Sequence, residues 1–171
     1  MTRLTNKIIE NVIIETAGED AVPLVLELKN KKNYSEFALA ETLKVEVNFV
    51  RNILYRLLKY NLVSFTRKKD KRKGWYIYYW TFRLKQIKNV LRTLRKERLE
   101  KLKERLNREK NEQFFTCETQ CMRINFEKAT DFEYKCPECG KLLEQEDNSG
   151  KIKEIEKEIK EIEKELKKKD A

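Results

Sequence analysis

All four cysteines of this chain lie in one stretch, Cys117-Glu-Thr-Gln-Cys121 followed by Cys136-Pro-Glu-Cys139-Gly140. Two close pairs at this separation suit a single tetrahedral zinc ion held between two hairpin knuckles. In the second pair Pro137 pre-sets the turn, and Gly140 tolerates the positive φ that aims backbone amides at sulfur. The first pair has a three-residue spacer and no following glycine, which is within the range for such sites but longer than the usual two. There is no histidine. Cys117, Cys121, Cys136 and Cys139 therefore make a closed four-thiolate site, and a closed site leaves no position for a reactive water, so its Zn2+ is expected to be structural. The competing reading is two disulfides in a small secreted domain. It fits poorly with a lysine-rich chain that shows no apolar N-terminal signal segment. A redox or metal sensor is the other use of four thiolates, but closed four-cysteine sites are inert.

The elements around this cluster differ in charge. The chain has 171 residues and a formal net charge of +10. Residues 1–80 hold fifteen basic and nine acidic side chains, and residues 81–110 hold twelve and four. Residues 111–143 and 144–171 are each slightly acidic. A basic surplus confined to the first 110 residues points to a polyanionic partner there, nucleic acid above all. No apolar run approaches the ~18 residues of a membrane span, so a soluble cytoplasmic protein is expected. Without histidine, and with every cysteine in the ribbon, few groups remain for general-base or nucleophilic chemistry, and an enzyme is not expected.

From the N-terminus, Ile8, Ile9, Val12 and Ile13 mark a first helix, with Thr5 or Asn6 as its cap and Gly18 at its end. Asp20 caps a second helix, with Pro23 in its first turn. Ser35 caps a third that carries Phe37, Leu39, Ala40 and Leu43. After a tight connection, Asn48 opens a fourth helix with Val50, Ile53, Leu54, Leu57 and Leu58 on its apolar side, and Asn61 ends it. The third and fourth helices have the helix-turn-helix order. As a groove reader, the fourth would present Asn48, Arg51, Asn52, Tyr55 and Arg56.

Val63-Ser-Phe65-Thr-Arg67 then alternates like a strand, residues 68–74 form a charged turn, and Trp75-Tyr-Ile-Tyr-Tyr-Trp80 is a second strand. A hairpin after the second helix of the pair makes a winged helix. Trp75, Ile77 and Tyr79 point to one side of the strand, Tyr76, Tyr78 and Trp80 to the other. One aromatic face can cover the helices. The other either packs internally or, beside Lys68, Lys69, Lys71, Arg72 and Lys73, stacks on unpaired bases while the cations hold phosphate.

Leucines and other apolar residues at three- and four-residue intervals over 82–110, without Gly or Pro, predict one long helix of roughly 40 Å. It would serve as a spacer between two modules. The ribbon follows with few apolar residues, so metal must contribute much of its stability. In the tail, Ile152, Ile155, Ile159, Ile162 and Leu166 form a short a/d seam among Lys and Glu. Either this is a lone helix held by i,i+4 ion pairs or it docks on something. The fold expected is α+β, mainly α: an extended winged helix over 1–81, a linker helix over 82–112, a small zinc ribbon over 113–143 and a helical tail of mixed charge over 144–171.

Val47-Asn48, Val50-Arg51, Ile53-Leu54-Tyr55, Leu62-Val63, Asp70-Lys71 and above all Gly74-Trp-Tyr-Ile-Tyr-Tyr-Trp80 resemble the archaeal transcription factor E family. This family is the counterpart of the alpha subunit of eukaryotic general factor IIE. Phe126-Glu-Lys-Ala129 and Phe132 through Cys136-Pro-Glu-Cys139-Gly140 to Leu143 are similar to the family's second half. The Cys-x-x-x-Cys knuckle departs from its pattern, and the resemblance does not reach the tail. It implies a basal initiation factor, not an enzyme, that joins RNA polymerase, TATA-binding protein and factor B on promoter DNA. It further implies a winged helix on the polymerase clamp near the bubble, a ribbon between clamp and stalk, and action that favours strand opening; a monomer is expected. On this chain, Lys68 to Lys73 and Trp75 to Trp80 would then meet the clamp and the single non-template strand. The alternative from residues alone is a sequence-specific winged-helix regulator with a structural zinc ribbon.

Overall fold

Helix α1 (Asn6–Ala17) buries Ile9, Val12, Ile13 and Ala17 and stops where expected, at Gly18. There the φ of 94° suits glycine, and an added Cβ would come within 2.7 Å of the Asp20 carboxylate. The computed structural model describes residues 5–69 and 74–167. They fall into two units that divide between Thr93 and Leu94.

In the first unit a 3-10 turn (Glu19–Ala21) leads into α2 (Val22–Leu28), which has proline in its first turn. Asp20 is not a side-chain cap; it is paired with Arg56. Helix α3 (Glu36–Leu43) is capped by Ser35, whose Oγ accepts from the Phe37 N–H at 3.2 Å. Lys44 in the left-handed region, φ 54°, makes the tight turn to α4 (Val47–Lys59). Asn61, φ 55°, ends that helix as the sequence predicts, and the Leu62 N–H donates back to the Leu57 carbonyl.

Strands β2 (Val63–Lys69) and β3 (Tyr76–Phe82) pair antiparallel, with Phe65 opposite Trp80 and Arg67 opposite Tyr78. A two-residue strand absent from the sequence reading, β1 (Tyr34–Ser35), pairs with the other edge of β3, giving the order β1-β3-β2. Helices α2, α3 and α4 with this sheet form the winged helix, and α1 extends it at the N-terminus. Its core includes Leu24, Leu28, Leu39, Ile53, Leu54, Leu57, Leu62 and Trp80, each at most 1% exposed. The residues expected to form the tip of the wing turn, Lys71, Arg72 and Lys73, lie outside the described residues.

Helix α5 (Ile87–Asn111) follows a 3-10 turn (Leu84–Gln86). In the second unit, β4 (Phe114–Cys117) is the central strand of a sheet in the order β5-β4-β6, with β5 (Arg123–Asn125) and β6 (Leu143–Gln145) on its edges. A short helix, α6 (Phe126–Asp131), begins at Asn125, whose side chain accepts from the Lys128 N–H. Phe115, Cys117, Ile124, Ala129, Cys136 and Leu143 make the ribbon's small core.

The tail resolves one question that the sequence leaves open. Helix α7 (Ser149–Lys167) docks on α5 of the same chain: Ile155, Ile159 and Ile162 pack with Leu99, flanked by Leu102, Leu106 and Leu166. Arg95 pairs with Glu165 at 2.8 Å, Lys110 with Glu156 at 2.6 Å, and Arg98 with Glu158. The linker leucines and the tail isoleucines are the two halves of one antiparallel seam.

Candidate functional site

The two knuckles form as the spacing requires. Cys117 ends β4, and Gln120 takes a left-handed φ of 52° with its N–H on the Cys117 carbonyl at 2.8 Å. In the second knuckle Gly140 has φ 72°, and its N–H donates to the Cys136 carbonyl at 2.7 Å. The Cys136 N–H in turn donates to the Lys141 carbonyl at 2.8 Å. This brings the four Sγ atoms within 4.8 Å of one another. None of the four cysteines is in a disulfide, and all four converge on one point, as a shared metal ion requires.

A tetrahedral zinc with bonds of about 2.3 Å needs sulfurs about 3.8 Å apart, which lies within that bound. The donor set therefore fits one soft divalent ion. Cys117 and Cys136 are buried, while Cys121 and Cys139 face solvent. The Thr119 hydroxyl first, then the Cys121 backbone N–H, work against the cost of burial to bring the Cys117 thiol down to about 6. Burial pushes the Cys136 thiol up.

Beneath the ribbon, Glu109 at the end of α5 is 5% exposed, yet its charge is answered. Arg123 of β5 donates to both carboxylate oxygens, at 2.9 and 2.7 Å. The Asn148 amide adds bonds to the Glu109 carbonyl and carboxylate. Arg123 also lies 3.7 Å over the Phe114 ring and pairs with Glu146. The Arg123 guanidinium, ahead of the Asn148 amide, holds the Glu109 carboxyl below the usual carboxylate range despite its burial. Nothing in the sequence marks these residues, because their partners lie fourteen and more positions away.

The wing corrects one site assignment and refines others. Trp80, expected on the binding face, is 0% exposed and belongs to the core, where Tyr55 and Phe65 lie 6.1 and 5.2 Å from its ring. The alternation over residues 75–80 is as expected, but Trp80 sits at the end of the strand that crosses the helices. The exposed part of that strand is its start: Trp75 is 53% and Tyr76 49% exposed, with Tyr78 and Tyr79 half-buried. Arg67 lies 4.8 Å over the Tyr76 ring and Lys68 5.5 Å over the Tyr79 ring, so both faces of the hairpin pair a cation with an aromatic. Lys68 and Lys69 are exposed.

On α4, Asn48, Asn52 and Tyr55 are exposed, but the two arginines are engaged internally. Arg51 gives Nε and Nη2 to the buried Glu36 carboxylate at 3.1 and 2.7 Å, and Arg56 is paired with Asp20. Phe49 is 43% exposed on the same helix.

A family model described as the TFIIE alpha subunit matches residues 7–111, which takes in the winged helix and α5. The chain belongs to the TFIIE alpha subunit family. Among its relatives in this family, Transcription factor E of Thermococcus kodakarensis is 38% identical over 158 residues, covering 92% of this chain and 85% of that protein. Transcription factor E of Metallosphaera sedula is 37% identical over 166 residues, covering 92% and 94%. That of Methanocaldococcus jannaschii is 36% identical over 141 residues, covering 82% and 80%. As a TFIIE alpha subunit family member with transcription factor E relatives over nearly its whole length, this chain is a basal transcription initiation factor. Among the described residues, no helix is long and apolar enough to cross a membrane.

Proposed function

We propose that this initiation factor works inside the preinitiation complex, alongside TATA-binding protein and factor B, by engaging the clamp and stalk of RNA polymerase and promoter DNA at the bubble. Such a role belongs in the cytoplasm, with the polymerase, and makes no catalytic demand on the chain. The observation that carries the reading is the outer part of the hairpin, where Arg67, Lys68 and Lys69 stand among the exposed Trp75 and Tyr76 and the half-buried Tyr78 and Tyr79 on its two faces. Exposed rings beside cations favour unpaired bases, whose π-faces duplex DNA hides. Lys71, Arg72 and Lys73 join this surface in the proposal by their place in the sequence.

The state of α4 supports this reading over a site-specific duplex reader. Such a reader needs free bidentate side chains in the groove, and here Arg51 and Arg56 are tied to Glu36 and Asp20. Of the residues assigned to groove reading, Asn48, Asn52 and Tyr55 remain exposed, beside an exposed Phe49.

In the second unit, one structural zinc ion held by Cys117, Cys121, Cys136 and Cys139 would stabilise the ribbon. The factor acts by binding the open complex better than the closed one. The population then shifts by no more than that difference, and 1 to 3 kcal/mol, about the usual size of coupling energies, is ample. Pull-down of archaeal RNA polymerase, with and without its stalk, tests the partner assignment. Retention that depends on the polymerase and weakens without the stalk is expected. Tight, site-specific duplex binding by the factor alone would count against it.

A further inference from the structure

The first knuckle is one residue longer than the second, and Thr119 stands in the middle of its spacer. Its Oγ1 lies 3.4 Å from Cys117 Sγ, 3.2 Å from Cys121 Sγ and 3.3 Å from Cys139 Sγ. Three nearly equal distances place the hydroxyl against the face formed by those three sulfurs. The left-handed turn at Gln120 absorbs the extra residue and makes this position reachable.

The other sulfurs have backbone donors. Cys117 Sγ accepts the Cys121 N–H at 3.3 Å. Cys136 faces the amides of Cys139 and Glu138, and Cys139 faces that of Lys141. No backbone amide of the described residues is recorded on Cys121 Sγ, and the Thr119 hydroxyl at 3.2 Å is the group placed to donate to it once the sulfur is a thiolate. Cys121 is also one of the two exposed thiols, where water competes most directly for the sulfur. Four thiolates on a divalent ion leave a surplus of negative charge, and a donor to sulfur both disperses that charge and fixes the direction of the ligand.

We propose that Thr119 is a positioning residue of the metal centre: its hydroxyl donates to the exposed thiolate face, Cys121 foremost, and holds that face in ligating geometry. A hydroxyl has one proton to give, so the three sulfurs share it. The extra residue of the first knuckle thus supplies from a side chain the donor that the second knuckle draws from its backbone. This inference rests on the four-thiolate reading of the site.

The test uses the full chain loaded with Zn2+ or Co2+. Thr119→Val removes the hydroxyl at nearly constant shape, and Thr119→Ser keeps it. Competition with a chromophoric chelator should show Thr119→Val holding zinc about tenfold or more less tightly. Its cobalt–thiolate charge-transfer band should shift, while Thr119→Ser stays close to wild type in both. Thr119→Ala takes the place of the valine variant if valine prevents the knuckle from folding. Undiminished zinc retention in Thr119→Val overturns the proposal. So does weaker retention with an unshifted band, or a serine variant as weak as valine, since either assigns the effect to loop packing. A wild-type chain that takes up neither ion fails the reading of the site itself, a result distinct from all of these.

Discussion

Two aromatic residues five positions apart on one hairpin do different work, and the difference is one of burial. Trp80 is closed off from solvent and its indole N–H has no partner among the described residues, whereas Trp75 is half exposed. Truncating Trp80 to Ala should cost about 3 to 5 kcal/mol of first-unit stability, the usual range for a buried large aromatic. The same change at Tyr76 should cost under about 1 kcal/mol, and urea unfolding followed by tryptophan fluorescence reads both. The alternating pattern shows that the strand has two faces. It cannot show how far along the strand the helices reach, so Trp80 reads from sequence as equivalent to Tyr76 and Tyr78. The arginines of α4 were hidden for a related reason. Arg51 looks like a groove reader until Glu36, fifteen residues earlier, is brought beneath it at 1% exposure. The cysteines were legible because their partnership is written in spacing, with proline and glycine to set the turn. Thr119 was not, because a hydroxyl inside a spacer carries no periodicity.

Helix α7 shows both the reach and the limit of periodic patterns. Its seam of isoleucines is plain in the sequence, and so is the leucine stripe of α5, but the whole ribbon lies between them in the chain and no local pattern joins the two. The docked pair buries Leu99, Ile155, Ile159 and Ile162. Full burial of such side chains contributes about 1.5 to 3 kcal/mol each, against under about 1 kcal/mol for each exposed ion pair along the seam. Apolar packing therefore holds α7, and the charges set its direction. An Ile155→Lys, Ile159→Lys variant should release α7 from α5 while leaving the first unit folded. Limited proteolysis should then cleave within residues 149–167, where wild type resists. Equal resistance in the two proteins would contradict the docking. Strand β1 escaped the sequence reading because two residues are too few to alternate. Its pairing to β3 through Tyr34 and Ser35 is a tertiary contact, not a local preference.

At the scale of the whole chain, the two units answer to different agents. The ribbon core is small and a metal ion is expected to complete it, whereas the winged helix has an apolar core of its own. Chelation should therefore unfold residues 113–143 and leave the first unit intact. Because Arg123 and Asn148 clasp Glu109, the start of α7 should loosen with the ribbon. Amide resonances of the two units, followed during titration with a chelator, check this. The pH dependence follows from the thiols. Cys117 is lowered to about 6 from an ordinary value of 9.0, so the stability its thiolate contributes is lost as pH falls through the folded value, and coordination carries that loss lower still. Zinc affinity, read by competition with a chelator, should weaken progressively as the solution is acidified from pH ~9 through ~6, because protons compete for the thiols. The family, the winged helix and the four-cysteine cluster were all legible in the sequence, while the surface proposed to meet DNA required the structure to separate buried rings from exposed ones. That surface is the centre of the account, and permanganate reactivity of promoter thymines tests it most directly, in complexes assembled from polymerase, TATA-binding protein, factor B and this factor. A Trp75→Ala, Tyr76→Ala variant should remain bound to polymerase within about twofold of wild type yet lose most of the factor's stimulation of strand opening, a loss of about 1 kcal/mol or more in coupling. A variant that stimulates opening as fully as wild type would contradict the account.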